Sequence, residues 1–505
     1  MTIQPSANMR RLRFFLVTLA EQTATALVNQ GFTLDQLGRG DEALAVFEQV
    51  VRRFGERDEL PLAERMAKAL VIQGNTLGRL GRGDEALGVY EQLVRRFGER
   101  DELPLAEATA KALFNQGLTL GELRRGAEAL AVYEQVVQRF GERDELPLAE
   151  ATAKALFNQG LALGELGRRD EALAVYEQVV RRFSERDELP LAELAARSLL
   201  NQGLMLVEMG RGPEALAVYE QVVRRFGEKD ELPLAEQTAA ALVNQANMLG
   251  RLGRGDEALA VYEQVVRRFG ERDELPLAQQ TALALVNQAG TLLQLGRRNE
   301  ALAVYEQVVR RFGERDELPL AEQTAKALVN QGVTLGELGR EDEALAAYEQ
   351  LVRRFGERDE LPLAEATALA LVNQGVALGQ LGRGDEALAV YEQVVRRFGE
   401  RDELPLGERT AKALVNQGFT LGQLGRGDEA LAVYEQVVRR FGERDELPLA
   451  EQTALALVDQ AFMLVELGRR EEALAVAASA QSRFANRAEP AIQSLLSELD
   501  DLVET

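Results

Sequence analysis

One asparagine recurs along the chain at a constant spacing, and its side chain is well suited to holding a ligand. The spacing is 43 residues or a multiple of it, at Asn29, Asn115, Asn158, Asn201, Asn244, Asn287, Asn330, Asn373 and Asn416. Ile72 and Asp459 occupy the two other places in this series. Because an amide has donors and an acceptor, such a row could pair with the backbone of a peptide of any sequence. The alternative is that this asparagine row only bridges neighbouring repeats.

A cation precedes this place by four residues in several repeats, at Lys68, Lys111, Lys154, Arg197, Lys326 and Lys412. Residues at i and i+4 lie on the same face of a helix, so the cation and the amide would point to one ligand. The three consecutive pairs Lys111/Asn115, Lys154/Asn158 and Arg197/Asn201 suit an anionic group best. The simpler interpretation is a solvated helix face.

Composition excludes most other chemistry. The 505 residues include no Cys and no His, which removes disulfides, Cys/His zinc sites and His-dependent catalysis. We therefore expect no enzymatic activity, no cofactor and no metal. The net charge of −23 argues against nucleic acid and anionic membranes as partners. Residues 9–20 match a signal peptide only loosely and continue into the first repeat, so we expect a cytoplasmic protein.

The asparagine row belongs to a repeat that fills almost the whole chain. Its DEAL-like segment begins at residues 41, 84, 127, 170, 213, 256, 299, 342, 385, 428 and 471. Each unit predicts two amphipathic helices, A and B, so that stacked units bury one another's apolar faces. In the second unit we expect helix A from Leu62 to Leu80, a glycine turn at Gly81 and helix B from Glu85 to Phe97, with Asp84 as its N-cap.

The small and large residues of the unit resemble the tetratricopeptide repeat. In the ninth unit the matching residues are Leu371, Gly375, Leu378, Ala387 and Tyr391. The period is longer than the family's usual one and resembles the extended repeats of kinesin light chains, while HEAT repeats are the alternative. The resemblance implies an all-α fold, a right-handed α-α superhelical solenoid of about eleven helix pairs. Residues 1–19 would form an N-terminal capping segment, residues 20–486 the repeats, and residues 487–505 a C-terminal capping helix.

The same resemblance implies where a partner would lie. In this family helix A lines the concave face, where asparagines contact extended peptides and Lys–Asn pairs form a carboxylate clamp. Repeats three to five carry the most distinctive helix-A residues, apolar at Phe114, Phe157, Leu118, Leu161 and Leu204 and acidic at Glu122, Glu165 and Glu208. We therefore expect a protein or peptide partner with apolar anchors and basic groups. A structural or self-assembling protein without a specific ligand, including a homodimer through the solenoid ends, is the open alternative.

Overall fold

The computed structural model of the chain describes residues 7–504, and the side chains of residues 15–499. Within these residues it contains 23 α-helices and no β-strand. Helices A are α1 (Ala7–Gln36), α3 (Leu60–Arg79), α5 (Leu103–Glu122), α7 (Leu146–Glu165), α9 (Leu189–Glu208), α11 (Leu232–Arg251), α13 (Leu275–Gln294), α15 (Leu318–Glu337), α17 (Leu361–Gln380), α19 (Leu404–Gln423) and α21 (Leu447–Glu466). Helices B are α2 (Gly40–Phe54), α4 (Gly83–Phe97), α6 (Gly126–Phe140), α8 (Arg169–Phe183), α10 (Gly212–Phe226), α12 (Gly255–Phe269), α14 (Arg298–Phe312), α16 (Glu341–Phe355), α18 (Gly384–Phe398), α20 (Gly427–Phe441) and α22 (Arg470–Phe484), and α23 (Pro490–Glu504) follows.

Helix A begins after a connector in which an arginine and a glutamate pair with each other. In the third repeat, Glu102 precedes the helix in an extended conformation and Pro104 lies in its first turn, where a missing amide proton costs little. The Arg100 guanidinium donates to the Glu102 carboxylate, with Nη2 2.7 Å from Oε1. Two hydrogen bonds lower the pKa of Glu102 to about 2. The larger effect comes from Arg100, and the smaller from the backbone amide of Glu102 itself. Arg100 therefore pairs with one of the three acidic residues of the ERDE connector, at the turn into the next helix.

Helix B begins differently from the sequence-based prediction. Asp84 is not its N-cap, because α4 starts one residue earlier, at Gly83, and Arg82 precedes it without a side-chain cap. Arg82 instead reaches forward to Glu85, with Nε 2.6 Å from Oε1. Gly81 adopts the left-handed conformation with φ of 73°, which glycine accepts without a Cβ clash. The predicted ends of helix A and the predicted start of helix B in this repeat are thus one or two residues from the observed ones, whereas helix B ends at Phe97 as predicted.

The helices pack in consecutive pairs, as the solenoid prediction requires. By their contacts the residues form two compact units, Met1–Met248 and Leu249–Thr505. Within each unit a helix A packs on its own helix B, and a helix B packs on the next helix A. Successive helices A within a unit are also in contact, whereas no two helices B of the same unit meet among the described residues. The helices A therefore form a continuous row in each unit.

The core is shared between neighbouring repeats. Around the ninth repeat it joins Leu371 and Tyr391 to Leu345 of the preceding repeat and Leu406 of the following one. At the C-terminal end, α23 packs on α21 and α22 and buries Ile492 and Leu499. At the other end, α1 runs from Ala7 into the first repeat without a break at residue 19. Residues 1–6 of the predicted N-terminal cap and residue 505 lie outside the described residues.

Arg124 breaks the glycine pattern of the turns. Ten repeats have a glycine with positive φ at this place, but Arg124 adopts a φ of 58°, alone among the described non-glycine residues. A left-handed conformation costs a residue with a Cβ about 1–2 kcal/mol. We expect Arg124→Gly to stabilise the third repeat by about 0.5–1 kcal/mol, since glycine's larger unfolded-state entropy offsets part of the gain. Urea unfolding measures this, and Gly167→Arg in the fourth repeat should destabilise by a similar amount; unchanged midpoints in both variants would refute the argument.

Candidate peptide-binding surface on helices A

The asparagine row follows the helices A through each unit. Asn29 is exposed, and the eight other members are half-buried between neighbouring repeats. In α9, the Asn201 amide donates to the Tyr176 hydroxyl of the preceding helix B over 3.4 Å. Across α3, α4 and α5 the network has three members, because Tyr90 Oη and Asn115 Nδ2 both donate to Asn75 Oδ1 at 2.7 Å. Part of the row's hydrogen-bonding capacity is therefore used inside the protein.

The tyrosine hydroxyls need these partners because the rings are buried. Burial raises the pKa of Tyr348 to about 12, and hydrogen bonding with Asn373 partly offsets that rise. Burial likewise raises the pKa of Tyr391 to about 12, although the Nδ2 of neighbouring Asn416 is buried without a hydrogen-bond partner among the described residues. Tyr305 beside Asn330 is a further case. In each case the asparagine belongs to the repeat that follows the tyrosine.

The sequence contains a correlation that could have revealed these pairs. The tyrosine and its asparagine are 25 residues apart in the hydrogen-bonded pair Asn201 and Tyr176. Phe47 has no hydroxyl, and the residue 25 positions further on is Ile72, which has no amide. Both exceptions are visible in the sequence, and their separation of 25 residues connects them. The loss of both partners together indicates a structural link between the two positions.

Three of the predicted clamp cations are already paired on their own helices. Lys111 Nζ lies 2.5 Å from Glu107 Oε1, and Lys154 Nζ lies 2.6 Å from Glu150 Oε1. Arg197 lies 3.7 Å from Glu193 and stacks over the Phe157 ring, 4.7 Å from its centre. Lys326 is exposed and Lys412 half-buried. Such exposed ion pairs contribute only about 0–1 kcal/mol, so an anionic ligand could replace the glutamates at small cost.

The predicted specificity residues divide into exposed and packed side chains. Leu118, Leu161 and Leu204 are exposed on successive helices A, at 39%, 39% and 47%. Glu122, Glu165 and Glu208 are exposed one turn further on. Phe114 is half-buried and Phe157 buried, since each ring packs on the tyrosine of its own repeat with centres about 6 Å apart. The leucines and glutamates are therefore more accessible to a partner than the phenylalanines.

Two clefts bring these residues together in the first unit. The larger, of about 470 Å³, lies along α5 and α7 and is lined by Leu118, Glu122, Arg124, Tyr133, Asn158, Leu161 and Glu165, among others. The other, of about 410 Å³, joins Lys111, Phe114, Asn115 and Lys154 with Leu146 and Pro147. Apolar walls with a few polar groups are typical of ligand sites. The first cleft thus combines the leucine, glutamate and asparagine positions of the prediction.

One helix has the length and composition of a membrane span. Among the described residues this is α17, and 56% of its most apolar window is buried inside the protein.

Tandem helix pairs that share their cores with both neighbours define an α-α repeat protein. The tetratricopeptide repeat model matches residues 108–185, 194–271, 237–314, 280–357, 323–400 and 366–443, more than half of the chain, and related models match residues 157–230 and 24–49. The chain belongs to the tetratricopeptide repeat family. Repeats of this family serve as protein-interaction scaffolds.

Solved structures of similar fold are distant in sequence. The apo form of RapI is 13% identical, with a TM-score of 0.45, over 75% of this chain and 99% of that one. The apo form of the quorum sensor NprR from B. thuringiensis is 13% identical, with a TM-score of 0.37, over 83% and 99%. None of the curated proteins matches the chain. These likenesses are too distant to indicate a partner.

Proposed function

We propose that the chain holds a segment of a partner protein against its helices A, with the cleft along α5 and α7 as the main anchoring site. The observation that carries the proposal is the exposure of Leu118 and Leu161 side by side in that cleft. Each leucine is already more than half covered within the protein, so burying its exposed remainder under a ligand would gain about 0.6–1.2 kcal/mol.

The acidic residues of the cleft suggest the charge of the partner. Glu122 and Glu165 line it, while Arg124 is a cation in the same wall. We propose a segment with apolar anchors flanked by basic groups, which the net charge of −23 also favours. Glu208 extends this acidic edge to α9, although it lies 3.5 Å from Arg169.

The amides and cations take supporting roles in this proposal. The asparagine row would offer a ligand backbone the amide atoms that the tyrosines leave unused. Lys111, Lys154 and Arg197 would hold an anionic group only by exchanging it for Glu107, Glu150 and Glu193. We therefore assign most of the binding free energy to the leucines, while the polar groups orient the bound segment.

A peptide library selected on the whole protein tests the anchoring site. We expect the selected peptides to bind the double variant Leu118→Gln/Leu161→Gln roughly tenfold more weakly, since each lost apolar contact costs about 1 kcal/mol. Titration calorimetry or fluorescence anisotropy measures this.

The matched control uses the same two places in the second unit. Val333 and Val376 are exposed at 40% and 39%, so Val333→Gln/Val376→Gln removes similar apolar surface elsewhere. Peptides that anchor at α5 and α7 should bind this control within about twofold of the parent chain. Equal losses in both variants, or none in either, would overturn the assignment of the site.

The localisation and the excluded partners remain part of the proposal. We propose a cytoplasmic protein that binds neither nucleic acid nor membranes, on the basis of its charge and of the burial of α17. Association of two copies through their ends is the alternative for the oligomeric state. A mass from light scattering that stays constant over a wide concentration range would exclude it.

A further inference from the structure

A separate cleft of about 250 Å³ lies in the second unit, along α19 and α21. Phe419, Gln423, Tyr434, Asp459, Phe462, Met463 and Glu466 are among the residues that line it. Asp459 stands where nine other repeats have the row's asparagine, so this cleft has a carboxylate in place of an amide. The change gives the end of the helix-A row a chemistry that the other repeats lack.

The two carboxylates of the cleft lack a counter-charge in the described part of the chain. Asp459 is half-buried and Glu466 exposed, and neither makes an ion pair with a described residue. Burial is the main cause that raises the pKa of Asp459 to about 6, and repulsion from Glu498 of α23 adds to it. The pKa of the Tyr434 hydroxyl is also raised above its usual value, mainly by burial and further by the negative charges of Asp459 and Glu466. An uncompensated negative charge in a partly buried place is costly until a cation arrives.

The walls of the cleft are aromatic. Phe419 is 56% exposed and Phe462 40% exposed, both larger than the valines and leucines at the same place in most other repeats. A phenylalanine ring attracts a cation held over its face, and the attraction adds to that of a nearby carboxylate. An apolar side chain would be drawn to the rings but would leave the carboxylates unpaired.

We propose that this cleft binds a cationic side chain, an arginine or a lysine, of a partner segment, with Asp459 and Glu466 as counter-charges and Phe419 and Phe462 as walls. The inference rests on the proposed function, because it assigns the chemistry of a second contact on the helix-A row. This cleft lies in a different unit from the cleft lined by Leu118 and Leu161, and it would bind a different kind of ligand group. Its test can therefore fail without affecting the peptide test of α5 and α7.

The methyl group of Met463 is a reporter inside the cleft. In protein with ¹³C-labelled methionine methyls, we expect Nα-acetyl-arginine amide and Nα-acetyl-lysine amide to shift the Met463 signal saturably. Nα-acetyl-citrulline amide has nearly the shape of the arginine probe but no charge, so it should bind roughly tenfold more weakly or not at all. Met66, buried at 2% in the first unit, is the internal control and should not move.

Asp459→Asn is the matched variant, because asparagine is the residue of the other repeats and the fold accommodates it. We expect the affinity for the arginine probe to fall roughly tenfold in this variant, while the Met66 signal stays in place. Glu466→Gln should lower the affinity less, since Glu466 is more exposed. The proposal is overturned if citrulline binds as well as arginine, if Met463 does not respond, or if Asp459→Asn binds arginine as tightly as the parent chain.

Discussion

Gly375→Leu is expected to destabilise the ninth repeat by about 1–3 kcal/mol through overpacking. Gly375 of α17 faces Tyr391 of α18, and a Cβ built on it would overlap the end of the tyrosine ring. Tyr391 is only 2% exposed, so a leucine would push the ring into its own core. A methyl group is a lesser intrusion, because Ala289 stands at the same place beside Tyr305 and both are fully buried. The close crossing of helices A and B therefore depends on a residue no larger than alanine.

Gly379 provides the control for this substitution. It lies one turn further along α17, and a Cβ there would meet nothing within 4 Å. Since leucine is a better helix former than glycine by up to about 1 kcal/mol, Gly379→Leu should be neutral or stabilising. Repeat arrays need not unfold in one step, so amide hydrogen exchange of peptides from α17 and α18 is the appropriate measurement. Equal protection in the two variants would contradict a tight crossing at Gly375.

The helix pairs could be predicted from the sequence because each prediction was repeated many times. An alanine or a tyrosine at one place is a weak indication, but the same pattern recurring every 43 residues is a strong one. The family match and the consecutive packing confirm the all-α solenoid. The start of helix B was less predictable, because Arg82 precedes the helix without a side-chain cap and pairs with Glu85 instead.

The surface was harder to predict than the fold. Helical spacing predicts that Leu118 and Leu161 occupy equivalent places on successive helices A, and both side chains are exposed there. Spacing could not distinguish them from Phe157, which directly precedes Asn158 in α7 but is buried against Tyr176. Side-chain packing across the repeat decides that difference, and a single repeat's pattern does not contain it.

The asparagine row shows why paired positions matter more than single ones. Taken alone, nine amides at one place favour a peptide-binding row. Taken with the tyrosine 25 residues earlier, Asn201 becomes the partner of a buried hydroxyl, whereas Asn158 donates to the backbone carbonyl of Lys154. The pair Phe47 and Ile72 indicates the same link from the sequence alone. Composition and period describe each repeat separately, whereas this bond joins one repeat to the next.

Asn373→Ala is expected to destabilise the interface between the eighth and ninth repeats by about 1–3 kcal/mol. The Tyr348 side chain is 3% exposed, so its hydroxyl would lose a partner that water cannot readily replace. The loss would not come from the helix itself, because alanine is the better helix former. Urea unfolding, with hydrogen exchange of α16 and α17, measures the change.

A double-mutant cycle separates the bridging role of the asparagine row from a ligand-binding role. In a Tyr348→Phe background no hydroxyl remains to be satisfied, so Asn373→Ala should cost about 0.5–1.5 kcal/mol less than in the parent chain. The natural pair Phe47 and Ile72 is the precedent for replacing both partners together. A coupling near zero would mean that the amide does not support the tyrosine and is available to a partner segment. A coupling of the expected size, with peptide affinity unchanged in Asn373→Ala, would assign Asn373 to the scaffold.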